Sequence, residues 1–414
     1  MQGSKIFFSY LIVFGLILTG CEQDPKGISR IRVLWNTDPA RQATIGWDAD
    51  TSRPQNQKVY YDTVDHGLDV TSYAYTKGVD AHNGSLGMDN TFARLSDLNP
   101  ATTYYFLVSD GTKTSERFYF TTASDTPDDR ISVIAGGDSR NNRDVRQNAN
   151  SLVSKLRADF VFFGGDMTNL GTTDEWKAWM NDWALTIHRD GRVTPLIIAR
   201  GNHELSNNIL YDLFDTPENV YYAMSMGGNL LRTYTLNSEI SVSGNQAVWL
   251  EEDLKAHDSK WKMAQYHRPM RPHTAGKTAN NSIYDAWAAL FYQYGVRLVM
   301  ESDSHTVKST WLLKPDRSGQ EDFVREDTSG TVYLGEGCWG APLRNNDDDK
   351  SWTRASGSFN QFKWIFIDGE KIEARTIRVD NANDVGDVSP DDRFTSPTGL
   401  EIWNPPSGPV VEIR

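Results

Sequence analysis

The chain has 414 residues, too many for one compact core, and its 38% hydrophobic and 11% aromatic content is enough to build ordinary globular domains, two or more of them. A formal net charge of −13, with no basic arm and no aromatic–basic strip, excludes a nucleic-acid backbone as an expected partner.

Near the start of the sequence Lys5 precedes an apolar run from Ile6 to Leu18, closing on Leu18-Thr19-Gly20-Cys21. A short apolar run after a positive charge, ending in small residues, is a signal-peptide pattern. It is short for a full bilayer span, and no later stretch is apolar enough to make one. The four closing residues resemble the lipobox of bacterial lipoproteins. That resemblance implies a signal peptide over 1–20 and a lipid on Cys21. It also implies a place in the bacterial cell envelope, held to the membrane by lipid alone, on a periplasmic or surface face of the outer membrane. Glu22, rather than Asp, follows the cysteine. With Cys21 lipidated, Cys338 has no partner and the fold holds no disulfide. Cys338 is then expected as a buried structural thiol rather than a reactive one.

Residues 21–30 read as a tether, and 31–123 as an all-β domain. Short strands are expected at 31–35, 43–47, 58–62, 92–95, 103–108 and 117–122, separated by turns such as Leu98-Asn99-Pro100. This spacing suggests a β-sandwich. The run Leu98 to Phe106 and the closing Phe118-Tyr119-Phe120-Thr121-Thr122 look like a fibronectin type III domain. His66 and His82 fall here without clustered partners and read as surface or loop residues. The polar stretch Ser124 to Asp129 marks a boundary.

From 130 to 380 strands alternate with helices, the pattern of an α/β layer fold. Helices are expected at 141–156, 173–187, 244–257 and 282–294. Trp176, Trp179 and Trp183 stand at core-facing spacing. His188 and His257 read as surface residues. The remainder, 381–414, reads as an extended tail.

Five strands end in groups that carry chemistry. They run Ile131–Ala135 into Gly-Gly-Asp138, Phe160–Phe163 into Gly-Gly-Asp166, and Leu196–Ala199 into Gly201-Asn202-His203-Glu204. Trp261–Tyr266 runs into His267, and Val296–Met300 into Glu301-Ser302-Asp303-Ser304-His305. In open α/β sheets ligands sit at this end of the strands. Carboxylate, amide and imidazole groups together suit two adjacent divalent cations, which polarise a phosphoryl oxygen and activate a water. Like charges that close need a bridging carboxylate.

In order and context these blocks resemble the calcineurin-like metallophosphoesterase superfamily, in its purple acid phosphatase-like branch, which also carries an N-terminal fibronectin-type domain. The resemblance covers about residues 31–380 and implies a four-layer αββα catalytic domain. It implies that Asp138 and His305 bind one metal, Asn202 and His267 the other, and that Asp166 bridges them. It implies that His203 is not a ligand but faces substrate as the catalytic acid. Two positions depart from the family. Asn169 stands where the purple phosphatases have a tyrosine, and Asp303 stands where Gly-His-x-His has its first histidine. Both are expected as oxygen ligands, and Asp303 favours harder ions. The cofactor implied is a pair of divalent or trivalent ions, Fe, Mn or Zn.

Arg140, Arg143, Arg268, Arg271 and His273 lie just after ligand positions and are candidates to grip substrate phosphate, Arg140, Arg268 and His273 foremost. Glu204 is expected to orient its loop. The reading taken is a phosphomonoesterase acting on a phosphorylated small molecule or polymer. A phosphodiesterase or nucleotide hydrolase, and a non-catalytic surface lipoprotein with a degenerate site, are the alternatives.

Overall fold

The computed structural model describes residues 27–49, 56–319 and 321–414. The expected signal peptide and Cys21 lie outside them. Among the described residues no helix is long and apolar enough to cross a membrane.

The catalytic region is built on two facing sheets. The first places Ile131–Gly136, Phe160–Phe163 and Leu196–Ile198 side by side and parallel. The second places Leu231–Thr235, Trp261–Gln265, Val296–Glu301 and Val332–Gly335 parallel in that order. Side-chain alternation assigns the layers. Val133, Ala135, Phe160 and Phe162 point into the space between the sheets, where they meet Met263, Leu298, Met300 and Leu334. Their neighbours Ile134, Val161 and Phe163 point outward, under Leu152, Leu156, Trp179 and Trp183 of the helices Arg143–Leu156 and Thr173–Trp183. On the far side Tyr234, Ala264 and Val299 are covered by Leu250, Leu254, Trp287 and Phe291. The result is an α–β–β–α stack. Each such buried side chain contributes roughly 1.5–3 kcal/mol. A slip of one residue would exchange the faces of a strand and is strongly disfavoured.

Local signals set the helix ends. Thr172 caps Thr173–Trp183 in a capping box with Glu175. The helix expected from 141 begins at Arg143, because Asn141 takes a left-handed φ of 70°. The helix expected to reach 187 stops at Trp183 and tightens into a 3-10 turn, Ala184–Thr186. The expected helix near 282–294 runs from 281 to 293 with a π turn at Tyr284–Ala288. The three tryptophans are buried as expected, and Trp179 and Trp183 stack at 5.0 Å.

The N-terminal β unit is not separate in space from the catalytic sheets. Its strands Ile28–Leu34, Ala43–Ala49, Met88–Leu95 and Ala81–Ser85 extend the first sheet to ten strands, joined where Leu34 pairs with Leu196. The sheet Tyr75–Gly78, Lys58–Asp62, Thr103–Ser109, Phe118–Thr121 packs over them. Trp35, Trp47 and Phe106 thus share one core with Phe160 and Ile197. The unit therefore braces the start of the strand that delivers Asn202 and His203. At the other edge of the ten-stranded sheet, Val410–Ile413 of the tail pairs with Ile372–Arg378. His188, expected on the surface of a helix, instead lies buried in a turn, against Arg157 and Asp190. Cys338 is buried and unpaired.

Candidate metal centre

The carboxyl ends of both parallel strand sets converge at one place. Chain reversal there uses left-handed backbone, with φ of 59° at Asp138, 57° at Asp166, 66° at Asp303 and 54° at His305. Such conformations cost of order 1–3 kcal/mol each and persist only where surroundings hold them. Here the holding bonds run between strand ends. Asp138 N donates to Gly165 O at 2.9 Å, Ser139 N to Asp166 O at 3.0 Å, and His305 N to Glu336 O at 2.8 Å. Gly165 has φ of 92°, and a Cβ on it would lie 2.4 Å from Gly201 N, so only glycine fits between these two loops.

Two overlapping groups of potential ligands result. Asp138, Asp166 and His305 form one, and Asp166, His267 and Asp303 the other, with ligand atoms within 4.8 Å of one another in each. Asp166 belongs to both. Asn202 joins the second, its Oδ1 3.3 Å from His267 Nε2. The donor set fits a pair of metal ions on three further observations. Asp166 Oδ2 is buried and accepts no hydrogen bond. His267 Nδ1 is held by Gly164 O at 2.9 Å and His305 Nδ1 by Pro342 O at 2.8 Å, which turns both Nε2 atoms toward the carboxylates. His267 Nε2 is 3.2 Å from Asp166 Oδ1, and His305 Nε2 is 3.1 Å from Asp138 Oδ1. His267 and His305 are fully buried, whereas the His203 side chain is 25% exposed. His203 Nδ1 is bonded to Asn169 O, and its Nε2 stands 3.7 Å from Asp166 Oδ2. Exposure thus separates two buried histidines among the carboxylates from one that reaches solvent.

Charge organises the site around cations. Burial works against a charged His267, but Asp166, Asp138 and Asp303 around it outweigh burial and hold its pKa well above the ordinary value. Burial likewise favours a neutral Asp166, yet the His267 charge and hydrogen bond, with His203, keep its carboxyl below the usual range. A cation held between them would take the place of the His267 proton.

Glu204 holds the loops of Asp166 and Gly201 in place, in keeping with its expected role of orienting its loop. Its carboxylate accepts Asp166 N at 3.0 Å, Met167 N at 2.8 Å and Gly201 N at 2.6 Å. Burial first, and then the Asp166 charge, push it up from 4.5 to about 7. A raised folded pKa means that the folded chain keeps a proton which the unfolded chain releases. For this group, stability of the metal-free protein falls as pH rises from about 4.5 to about 7. In Glu204→Gln that contribution should vanish from the pH dependence of thermal unfolding. An amide hydrogen would also face a backbone N–H, and metal affinity should fall about 10–100-fold. Unchanged metal affinity would contradict this role.

The structure sorts the other expected site residues. Arg140 is at the centre. Its Nη1 donates to Asn169 Oδ1 at 2.8 Å, its Nη2 lies 3.5 Å from His305 Nε2, and its Nε lies 3.5 Å from Asp166 Oδ2. Asn169 was expected as a ligand, but its side-chain oxygen is engaged by Arg140 instead. Arg268 was expected on substrate, but its guanidinium is paired with Glu239 at 2.7 and 2.9 Å. Arg143 pairs with Asp182, and Arg271 is buried against Asp322. His273, expected to grip phosphate, is fully buried and bonded to Thr353 Oγ1 at 2.8 Å, with Trp352 edge-on to its ring. Burial, with Lys308 nearby, lowers its pKa to about 3, so it is neutral as well as hidden.

Three contributors were not anticipated. Lys277 forms an ion pair with Asp303 Oδ1. Arg344 Nη1 donates to Asp303 O at 2.8 Å. Lys308, buried, joins Glu301 and Glu336, whose carboxylates also take Met270 N, His273 N and Thr306 Oγ1, so the triad fastens three loops behind the site. No periodicity marks Lys277 or Arg344, which lie in irregular loops. Lys308 lies on the strand Val307–Thr310, and the carboxylates that claim it come from two other segments.

Comparison with known proteins places these features. The chain matches the family described as purple acid phosphatase, N-terminal domain, over residues 28–122, and calcineurin-like phosphoesterase over residues 96–307. Acid phosphatase type 7 of Danio rerio is 23% identical over 297 residues, 59% of this chain; the chain spans 64% of that relative's length. Among solved structures, a purple acid phosphatase from yellow lupin (Lupinus luteus) seeds superposes with a TM-score of 0.73 at 14% identity, over 88% of this chain and 74% of that one. The structure of PhoD superposes with a TM-score of 0.65 at 12% identity, over 91% of each chain. At these identities the two likenesses are of fold.

Proposed function

The chain belongs to the calcineurin-like phosphoesterase family, and from that premise we propose that it is a binuclear-metal phosphoric ester hydrolase, specifically a phosphomonoesterase. The observation that carries this reading is Asp166, one buried carboxylate common to two ligand groups, with an oxygen that no hydrogen bond satisfies. Asp138 and His305 would hold one ion, Asn202, His267 and Asp303 the other, and Asp166 both. When bound, the ions supply Lewis acidity and an activated water.

The chain's own residues do the rest. Arg140 would hold phosphoryl oxygens beside His305, with its Nη1 steadied by Asn169 Oδ1. His203 donates through Nδ1 to Asn169 O, which leaves Nε2 to carry a proton toward the leaving oxygen. Arg140 stands by His305 and Asp166, and this fixed positive charge suits the dianion of a monoester better than a diester. Protein reconstituted with Mn, Fe or Zn should hydrolyse an aryl phosphate monoester at least tenfold faster than the matching diester. The reverse preference would make it a diesterase. Inactivity on both with every metal would favour the non-catalytic reading.

An envelope location belongs to the same proposal and rests on the residues Leu18 to Cys21. Expressed in a bacterium, the protein should partition with membranes, and Cys21→Ser should release it or leave its signal uncleaved. Membrane partition unaltered by Cys21→Ser in a protein whose signal has been cleaved would sink the lipid anchor.

A further inference from the structure

The two ligand groups are not equivalent. In the first, the Asp138 oxygens meet Asp303 N at 2.9 Å and His305 Nε2 at 3.1 Å, and no ammonium covers them among the described residues. Arg140 stands off at 3.5 Å from His305 and from Asp166 and is held by Asn169. In the second group a lysine already sits on one of the ligands. The Lys277 ammonium contacts Asp303 Oδ1, the same oxygen that lies 3.7 Å from His267 Nε2.

The loop that carries Lys277 holds it there. Lys277 N donates to Thr274 O at 3.2 Å, Ala275 N to Asp347 Oδ1 at 2.8 Å, and Asn280 N to Met270 O at 3.0 Å. Thr274 is buried, while the Lys277 side chain keeps 26% of its surface exposed. The stem is therefore anchored and the ammonium has solvent to retreat into. The Asp303 backbone is held in place, with Arg344 Nη1 on its carbonyl at 2.8 Å and its N–H on Asp138 Oδ2 at 2.9 Å.

We propose that Lys277 is a built-in competitor for the second of the two metal positions, a reading that rests on the binuclear site proposed above. A divalent ion reaching Asp303 and His267 must displace the ammonium, and the two positive charges cannot share one oxygen at contact distance. At the first position the nearest cation, Arg140, stands off at 3.5 Å from His305 and Asp166 and is not seated on a carboxylate oxygen as Lys277 is, so the two positions fill unequally, the first more tightly than the second. Lys277 acts on the metal through Asp303 and is a positioning residue.

The test is calorimetric titration of the metal-free full-length protein with Mn²⁺ alone. Wild type should show two unequal steps, the weaker of them absent in Asp303→Asn. In Lys277→Gln the weaker step should tighten at least tenfold while the stronger stays as it was, which also reports that the variant is folded. Lys277→Arg, which keeps the charge, should stay within about threefold of wild type. A weaker step that is unchanged or further weakened in Lys277→Gln would overturn the proposal; further weakening would make Lys277 a supporting partner of Asp303 instead. Absence of any Mn²⁺ binding in wild type would overturn the binuclear site itself and the proposal with it. The two failures are therefore distinct.

Discussion

Asp166→Asn should leave a folded protein with no measurable phosphoesterase activity, a loss of about a thousandfold or more in kcat. The carboxylate serves both ligand groups, so its neutralisation removes charge from both positions at once. Metal stabilisation of a phosphoryl transition state amounts to several kcal/mol, and each 1.36 kcal/mol is about tenfold in rate. The fold should survive, because the amide oxygen can still accept the His203 N–H that Asp166 Oδ1 accepts at 2.9 Å. Circular dichroism should match wild type, and steady-state assay of an aryl phosphate reads the loss. Activity within tenfold of wild type would remove the bridging role.

His203→Ala should behave differently and in a way that separates acid from ligand. Loss of a general acid costs about 10²–10⁴-fold, while bound metal should not change, since His203 is partly exposed to solvent and the histidines buried among the carboxylates are His267 and His305. The loss should shrink with a good leaving group such as 4-nitrophenolate, which needs little protonation, and be full with an alkyl phosphate. Equal losses on both, with metal content halved, would make His203 a ligand.

Much of the site was legible because strand and motif arrive together. Asp138, Asp166, Asn202, His267, Asp303 and His305 each follow an apolar run directly, and a strand's end fixes where the next side chains go. His273 and Arg271 sit in the same sequence context after His267, yet burial against Trp352 and Asp322 claims them. What distinguishes His267 from His273 is a partner on a distant strand, which no local pattern contains. Lys277 escaped for the same reason, since its meaning comes from Asp303 and not from its own neighbours. Asn169 shows the converse. Its place in the motif suggested a ligand, and Arg140, a neighbour only in space, takes up its oxygen. The two-unit organisation was legible in composition, but the single ten-stranded sheet was not, because it depends on pairing Leu34 with Leu196 across the polar stretch 124–129.

The central claim is that one carboxylate organises two metal positions. Metal content per chain by elemental mass spectrometry, after equilibration with Mn, Fe and Zn, tests it most directly. The account predicts about two equivalents in the wild-type protein and a fall toward zero in Asp166→Asn. No bound metal in the wild type, or two equivalents that persist in Asp166→Asn, would contradict it.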